Sequence, residues 1–192
     1  MDPKNRRSIR LKKYDYSVSG AYFVTICTKD KKCLFGEVVN GETILSKEGQ
    51  IVREEWLETA NVRPYVSLDQ SVVMPNHFHG VLWIERDGGG TARCAPTVQQ
   101  FGKAVSKSLP AIIRGFKSAV TNRINVLRNA PGAPVWQRNF YEHVIRDDES
   151  LNRIREYIIN NPQRWNLDRE NPCRQGEHEF YSWLASFKTR PA

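Results

Sequence analysis

His77 and His79 stand one residue apart in Met74-Pro75-Asn76-His77-Phe78-His79-Gly80-Val81-Leu82-Trp83, and the chain holds only four histidines. Phe78, Val81, Leu82 and Trp83 make this an apolar run of strand-forming residues. Side chains at i and i+2 of a strand share a face, so the two imidazoles would lie side by side, as a divalent metal needs. Alone, such a pair also fits one buried, hydrogen-bonded histidine and one exposed one. The apolar run changes the weighting, because paired imidazoles on a central strand need either polar partners or a metal. Far downstream, Tyr157 and Asn161 are one helical turn apart, beside an apolar stripe of Leu151, Ile154 and Ile158. Two readings of this second group stand together. Tyr157 is a nucleophile and Asn161 lends a carbonyl oxygen to the metal, or Tyr157 is a boundary aromatic and Asn161 caps the helix ahead of Pro162. Tyr141 is the rival nucleophile, with cross-strand packing as its preferred reading. His143 reads as a polar surface or network residue, and His178, in a polar stretch, carries little signal. Metal ligands plus a tyrosine in a basic chain point to chemistry on phosphodiesters.

Several elements must position these groups. Residues 21–27 are dense in β-branched and aromatic side chains and predict a buried strand. Residues 45–60 predict a helix capped by Ser46, with Val52, Trp56 and Ala60 recurring at i, i+4 and i+8. Strands over 65–74 and 77–84 are joined by Pro75-Asn76, short enough for a hairpin. Gly88-Gly89-Gly90 lies in a flexible loop, residues 86–98. A helix from Pro110 to Arg128 carries the stripe Ile112, Phe116, Val120, Ile124 and Leu127, with Arg114, Lys117 and Arg128 largely off it. A strand over 135–145 and a helix over 147–161 follow, the latter with acidic residues at its N-terminus. The order β-α-β-β-α-β, with an extra C-terminal helix for the catalytic group, predicts an α+β, ferredoxin-like (RRM-like) fold. Its four-stranded sheet would be antiparallel, with helices packed on one face. Residues 1–162 form one domain, opening on a basic arm (1–19), and residues 163–192 form a C-terminal tail.

The 192-residue chain carries a net charge of +8, which favours an anionic partner, nucleic acid before membrane. The distribution is more informative than the total. Residues 99–129 include six lysines and arginines and no acidic residue, and the arm adds Arg6, Arg7, Arg10, Lys12 and Lys13. No apolar run approaches the ~18 residues of a membrane span, and the charged N-terminus leads into no signal-type segment, so the expected location is the cytoplasm. Cys27, Cys33, Cys94 and Cys173 lack zinc-ribbon spacing and read as free thiols.

The chain resembles the REP-associated tyrosine transposases, a branch of the single-strand HUH transposases (histidine, hydrophobic residue, histidine). The opening Arg7-Ser8-Ile9-Arg10-Leu11-Lys12, with Tyr14-Asp15-Tyr16 and Gly20-Ala21-Tyr22-Phe23-Val24-Thr25, is similar to that family's. So are Val73-Met74-Pro75-Asn76-His77-Phe78-His79-Gly80 and Val135-Trp136-Gln137-Arg138-Asn139-Phe140-Tyr141-Glu142-His143-Val144-Ile145-Arg146. Arg155-Glu156-Tyr157-Ile158 with Asn160-Asn161-Pro162 is similar to the family's nucleophile helix. The resemblance implies that His77, His79 and Asn161 are metal ligands and that Tyr157 is the nucleophile. It further implies a Mg²⁺- or Mn²⁺-assisted endonuclease and strand transferase acting on single-stranded or hairpin DNA through a 5′-phosphotyrosine. The sequence names no base for the Tyr157 proton. Nor does it settle whether the chain works as a monomer or a homodimer. Arg10, Lys12, Lys13, Arg114, Lys117, Arg128 and Arg138 are candidate DNA contacts, and Trp136 is a candidate stacking platform. The competing readings are a nucleic-acid-binding module without chemistry, and a relaxase or replication nickase of the same chemistry.

Overall fold

The structure is a computed structural model that describes residues 15–85 and 106–186. Six strands and four α-helices follow in the order β1 (Gly20–Cys27), β2 (Gly36–Val39), β3 (Glu42–Leu45), α1 (Lys47–Asn61), β4 (Val66–Met74), β5 (His77–Ile84), α2 (Leu109–Leu127), β6 (Tyr141–Ile145), α3 (Asp148–Asn160) and α4 (Glu179–Ser186). Four of the strands form one antiparallel sheet in the order β4-β5-β1-β6, and β2 pairs with β3 in a separate two-stranded sheet. This is the expected α+β, ferredoxin-like sheet. The arm residues Arg10, Lys12 and Lys13, and the Gly88-Gly89-Gly90 loop, lie outside the described residues.

Alternation along the two central strands sends side chains to two different interiors. Tyr22, Val24 and Ile26 of β1, with Phe78, Leu82 and Ile84 of β5, pack against Val52 and Trp56 of α1 and Ile112, Phe116 and Val120 of α2. Ala21, Phe23 and Val81 face the other way, against Leu151, Ile154, Tyr157 and Ile158 of α3 and Phe180 and Leu184 of α4. The helices are therefore not confined to one face. α1 and α2 keep that arrangement, while α3 and α4 cover the opposite side and bury the sheet twice over. Gly80 makes this possible on the α1 side, where an added Cβ would sit 2.7 Å from the Trp56 ring.

Local chemistry fixes the helix starts. The Ser46 hydroxyl accepts from the Gly49 amide at 3.0 Å, and the Asp147 carboxylate from the Ser150 amide at 2.7 Å. The final strand is shorter than the sequence predicts, running only over Tyr141–Ile145, with Trp136 making an isolated bridge to Thr28. The Lys117 ammonium explains the loss: it collects the carbonyls of Gln137, Arg138 and Asn139 at 2.6, 3.3 and 3.4 Å and turns that stretch out of the ladder. The small β2–β3 hairpin turns at Asn40-Gly41, whose φ angles of 52° and 80° suit a two-residue turn of the primed type. No helix among the described residues is long and apolar enough to cross a membrane.

Candidate active site

His77 and His79 project from β5 onto the α3 side, cross-paired with Cys27 and Thr25 of β1. Both are buried, and their Nε2 atoms lie 3.0 Å apart. The outer nitrogens are held as well: His77 Nδ1 lies 2.9 Å from Asn76 Oδ1, and His79 Nδ1 lies 2.9 Å from Thr25 Oγ1. The Asn76 amide group donates to the carbonyls of Lys31 and Glu170 at 3.2 and 2.7 Å, so its Oδ1 must be the atom that faces His77. His77 therefore carries its proton on Nδ1 and turns a lone pair at Nε2 toward His79. Burial, reinforced by the neighbouring imidazole, pushes the His77 pKa down to about 3, leaving it neutral, the form a metal requires.

α3 delivers the tyrosine. Its orientation is fixed by Arg155, which forks onto Asp69 of β4 at 2.9 and 2.5 Å. The Tyr157 hydroxyl lies 3.2 Å from His79 Nε2, and its ring stacks face to face on Phe180 with centroids 3.7 Å apart. The residue is only 4% exposed. Asn161 is buried one turn further on, and its Oδ1 has no hydrogen-bond partner among the described residues. The structure thus brings His77, His79, Tyr157 and Asn161 together within one chain.

The residue that links them was not singled out in the sequence. Asp168 follows a short 3₁₀ segment (Pro162–Leu167), and its Oδ2 accepts from Tyr157 Oη at 3.0 Å, Tyr181 Oη at 2.9 Å and Asn161 Nδ2 at 3.0 Å. The same oxygen lies 3.8 Å from His77 Nε2 and 3.9 Å from His79 Nε2. His77, His79 and Asp168 offer ligand atoms mutually close enough for one cation. Burial would raise the Asp168 pKa. The adjacent His79 and His77 and the Asn161 amide outweigh it and hold the group well below the usual carboxylate range. The Tyr157 phenol moves the opposite way, well above its ordinary value, through burial, the Asp168 charge and Tyr181, whose oxygen is 2.5 Å away.

The donor set fits a divalent ion. Two imidazole nitrogens converge, a carboxylate stands beside them, and a buried amide oxygen has no partner among the described residues. The outer hydrogen bonds to Asn76 and Thr25 are the supports that orient such ligands.

Other candidates fall elsewhere. Tyr141 is half-buried in the second cluster, its ring under the Arg169 guanidinium at 5.7 Å. His143 is buried against Trp183, and burial with Arg146 nearby pushes its pKa down to about 4. His178, given little weight in the sequence, is buried and caps α4 by accepting from the Phe180 amide at 3.0 Å. Two expected DNA contacts have other tasks. Lys117 is spent on the carbonyls before β6, where burial lowers its pKa to about 8, and Trp136 is packed between Phe35 and Phe116 rather than free to stack. Arg128 pairs with Glu48 at 2.8 Å, while Arg114 and Arg138 are exposed.

A ferredoxin-like sheet carrying this buried histidine–tyrosine–carboxylate cluster defines the class of fold and site. No family model matches the chain. An uncharacterized protein of Haemophilus influenzae is 41% identical over 168 residues, covering 86% of this chain and 92% of that protein. A second protein of that organism, named provisionally as a REP-associated tyrosine transposase, is 28% identical over 150 residues, covering 77% and 73% of the two chains. Among solved structures, a REP-associated tyrosine transposase bound to a REP hairpin shares the fold with a TM-score of 0.54 at 19% identity, covering 82% of this chain and 73% of that one. The chain is thus similar in sequence to one REP-associated tyrosine transposase relative and shares its fold with another.

Proposed function

We propose that the chain cuts and rejoins single-stranded DNA beside a hairpin, with Tyr157 as nucleophile and His77, His79 and Asn161 as ligands of a divalent metal. The observation that carries this reading is the Tyr157 oxygen, 3.2 Å from His79 Nε2 and sharing Asp168 with Asn161. A structural relative bound to a REP hairpin supports the choice of substrate. Mg²⁺ or Mn²⁺ held there would supply Lewis-acid stabilisation of the charge that develops on the scissile phosphate.

The chain's own residues do the rest. Tyr157 Oη attacks phosphorus, forms a 5′-phosphotyrosine and frees a 3′-hydroxyl. The phenol cannot ionise unaided at neutral pH; Asp168 Oδ2 accepts its hydrogen bond at 3.0 Å and so orients the oxygen. The ester formed resembles the ester broken, so a second strand's hydroxyl can reverse the step and be joined. Phe180 and Tyr181 must move aside before a phosphate reaches the buried oxygen. Exposed Arg114 and Arg138 supply phosphate contacts.

A hairpin oligonucleotide incubated with the protein and Mn²⁺ or Mg²⁺ tests the reading. A covalent adduct resolved on a denaturing gel, mapped to Tyr157 by mass spectrometry, is the expected result. Tight binding without any adduct would leave a nucleic-acid-binding module instead.

A further inference from the structure

Asp168, Arg169 and Glu170 form a turn at the end of the candidate active site. The two carboxylates are buried, whereas Arg169 between them is exposed. The turn is fixed from inside: Asp168 Oδ1 accepts from the Glu170 amide at 2.6 Å, while Oδ2 serves Tyr157, Tyr181 and Asn161. Glu170 is anchored as well. Its backbone carbonyl accepts from the Asn76 side chain at 2.7 Å, and its Oε2 lies 3.1 Å from the Lys31 ammonium.

That turn presents the Arg169 guanidinium to two tyrosine rings, 4.8 Å from the Tyr181 centroid and 5.7 Å from that of Tyr141. Tyr141 pairs across the sheet with Thr25, whose hydroxyl meets His79, and Tyr181 shares Asp168 with Tyr157. Both rings therefore border the reacting groups. The Arg169 charge also reaches His77, where it favours the neutral imidazole. Its hydrogen bonding is incomplete. Arg155 commits Nε and Nη2 to Asp69, whereas Arg169 gives only Nε to Glu170, at 2.9 Å. Its two terminal nitrogens donate to no acceptor among the described residues. A planar fork of donors, steadied by aromatic faces and exposed on its outer side, matches the paired oxygens of a phosphate.

We infer that Arg169 is a further catalytic residue of the cutting reaction, its terminal nitrogens binding the non-bridging oxygens of the scissile phosphate. The inference rests on the proposed DNA-cutting function and names a cation that the chain itself supplies to that site. As the Tyr157 oxygen bonds to phosphorus, the bond to the 3′-oxygen breaks, the phenol loses its proton and the 3′-oxygen ends as a hydroxyl. Arg169 exchanges no proton in this step. It donates two hydrogen bonds to the charge that builds on the phosphate, from a position set before the reaction begins. Stacking on Tyr141 keeps the fork in place when Tyr181 moves aside for the DNA.

The test uses the full chain with Mn²⁺ and a hairpin oligonucleotide whose cut linkage has first been mapped from the adduct. Arg169→Ala should slow single-turnover adduct formation, at saturating oligonucleotide and per folded molecule, by about a hundredfold. Arg169→Gln, which keeps a planar side chain over the rings, should repeat the loss and guards against a folding fault in the first variant. Arg169→Lys should recover only part of the rate, since an ammonium keeps the charge and loses the fork. Binding without metal then locates the contact. An uncharged methylphosphonate at the mapped linkage should weaken binding to wild-type protein and leave binding to Arg169→Ala unchanged, because either change already removes the interaction. Methylphosphonates one linkage to either side should weaken both proteins alike. Independent losses at the mapped linkage, an unchanged rate in both Arg169→Ala and Arg169→Gln, or faster adduct formation, as expected if Arg169 only pins Tyr181, overturns the inference while leaving the cutting function intact. No adduct with wild-type protein overturns both.

Discussion

The two faces of the central sheet are built from the same strands and do opposite things. On the α1–α2 face, Trp56, Phe78 and Phe116 pack with ring centroids 4.7 to 5.5 Å apart, and the nearby charges are paired at the rim. On the α3–α4 face, two histidines, a carboxylate, an amide and a tyrosine hydroxyl are buried together. Alternation lets one strand serve both: Phe78 belongs to the first face, and its neighbours His77 and His79 to the second. Burying polar groups is tolerable only where they find partners, and Asp168 is the partner for the Tyr157 hydroxyl and the Asn161 amide, and for the Tyr181 hydroxyl at their edge. The first face holds the fold, and the second spends stability to hold reactive groups in register.

The largest expected effect separates chemistry from packing on the second face. Tyr157→Phe removes one oxygen and keeps the ring stacked on Phe180, so DNA binding should persist while covalent adduct disappears from the gel. Tyr141→Phe should still form adduct. A reversed pattern moves the nucleophile to β6, and adduct in both single variants rules out the assignment.

Truncation on the other face should do the opposite. Phe116→Ala opens a void beneath Trp56, Phe78 and Trp136 and should cost about 3–5 kcal/mol in urea unfolding. Adduct yield per folded molecule should be unchanged. A folded Phe116→Ala protein that cannot cut would show that the faces are not separable.

Acid should strike the polar face next. His77 titrates near 6.5 when unfolded, and burial with the adjacent His79 brings it to about 3 in the folded protein. Between those values the unfolded chain binds more protons, so stability is complete above the upper value and falls as pH drops through the window. The slope is up to about 1.4 kcal/mol per pH unit, or roughly 2 kcal/mol lost by pH 5. His143, brought down to about 4 by burial and Arg146, adds a loss of the same sign. His77→Gln should flatten the profile measured by urea unfolding at pH 7 and pH 5. Equal stability of the wild type at both values would contradict a buried neutral imidazole.

The sequence disclosed the polar face unevenly. His77, His79, Tyr157 and Asn161 follow local periodicities, and β5 and the cap at Ser46 lie where spacing places them. Asp168 has no such signature, because it reaches the cluster through the turn after Pro162 and not by strand or helix repeat. The β2–β3 hairpin was missed although Asn40-Gly41 is a turn signal, since its four-residue, half-exposed strands show little apolar alternation. Lys117 and Trp136 were open for another reason. A lysine and a tryptophan look alike in sequence whether they face DNA or close a loop, and only the carbonyls around Lys117 and the rings around Trp136 decide it.

The smallest effect tests that last distinction on α2. Arg123 and Arg128 face Glu54, Glu55 and Glu48 of α1, so two of the six cations in the acid-free stretch are paired from the neighbouring helix. Exposed pairs of this kind contribute little, and Arg128→Ala should cost at most about 1 kcal/mol in stability. It should also leave the salt dependence of hairpin binding where it was. Arg114→Ala should do the reverse: no change in unfolding, but a log–log salt slope reduced by about one, because its side chain is exposed and can reach a phosphate. Equal slopes for the two variants would mean that DNA displaces the glutamates, and that the charge of α2 must be counted whole and not residue by residue.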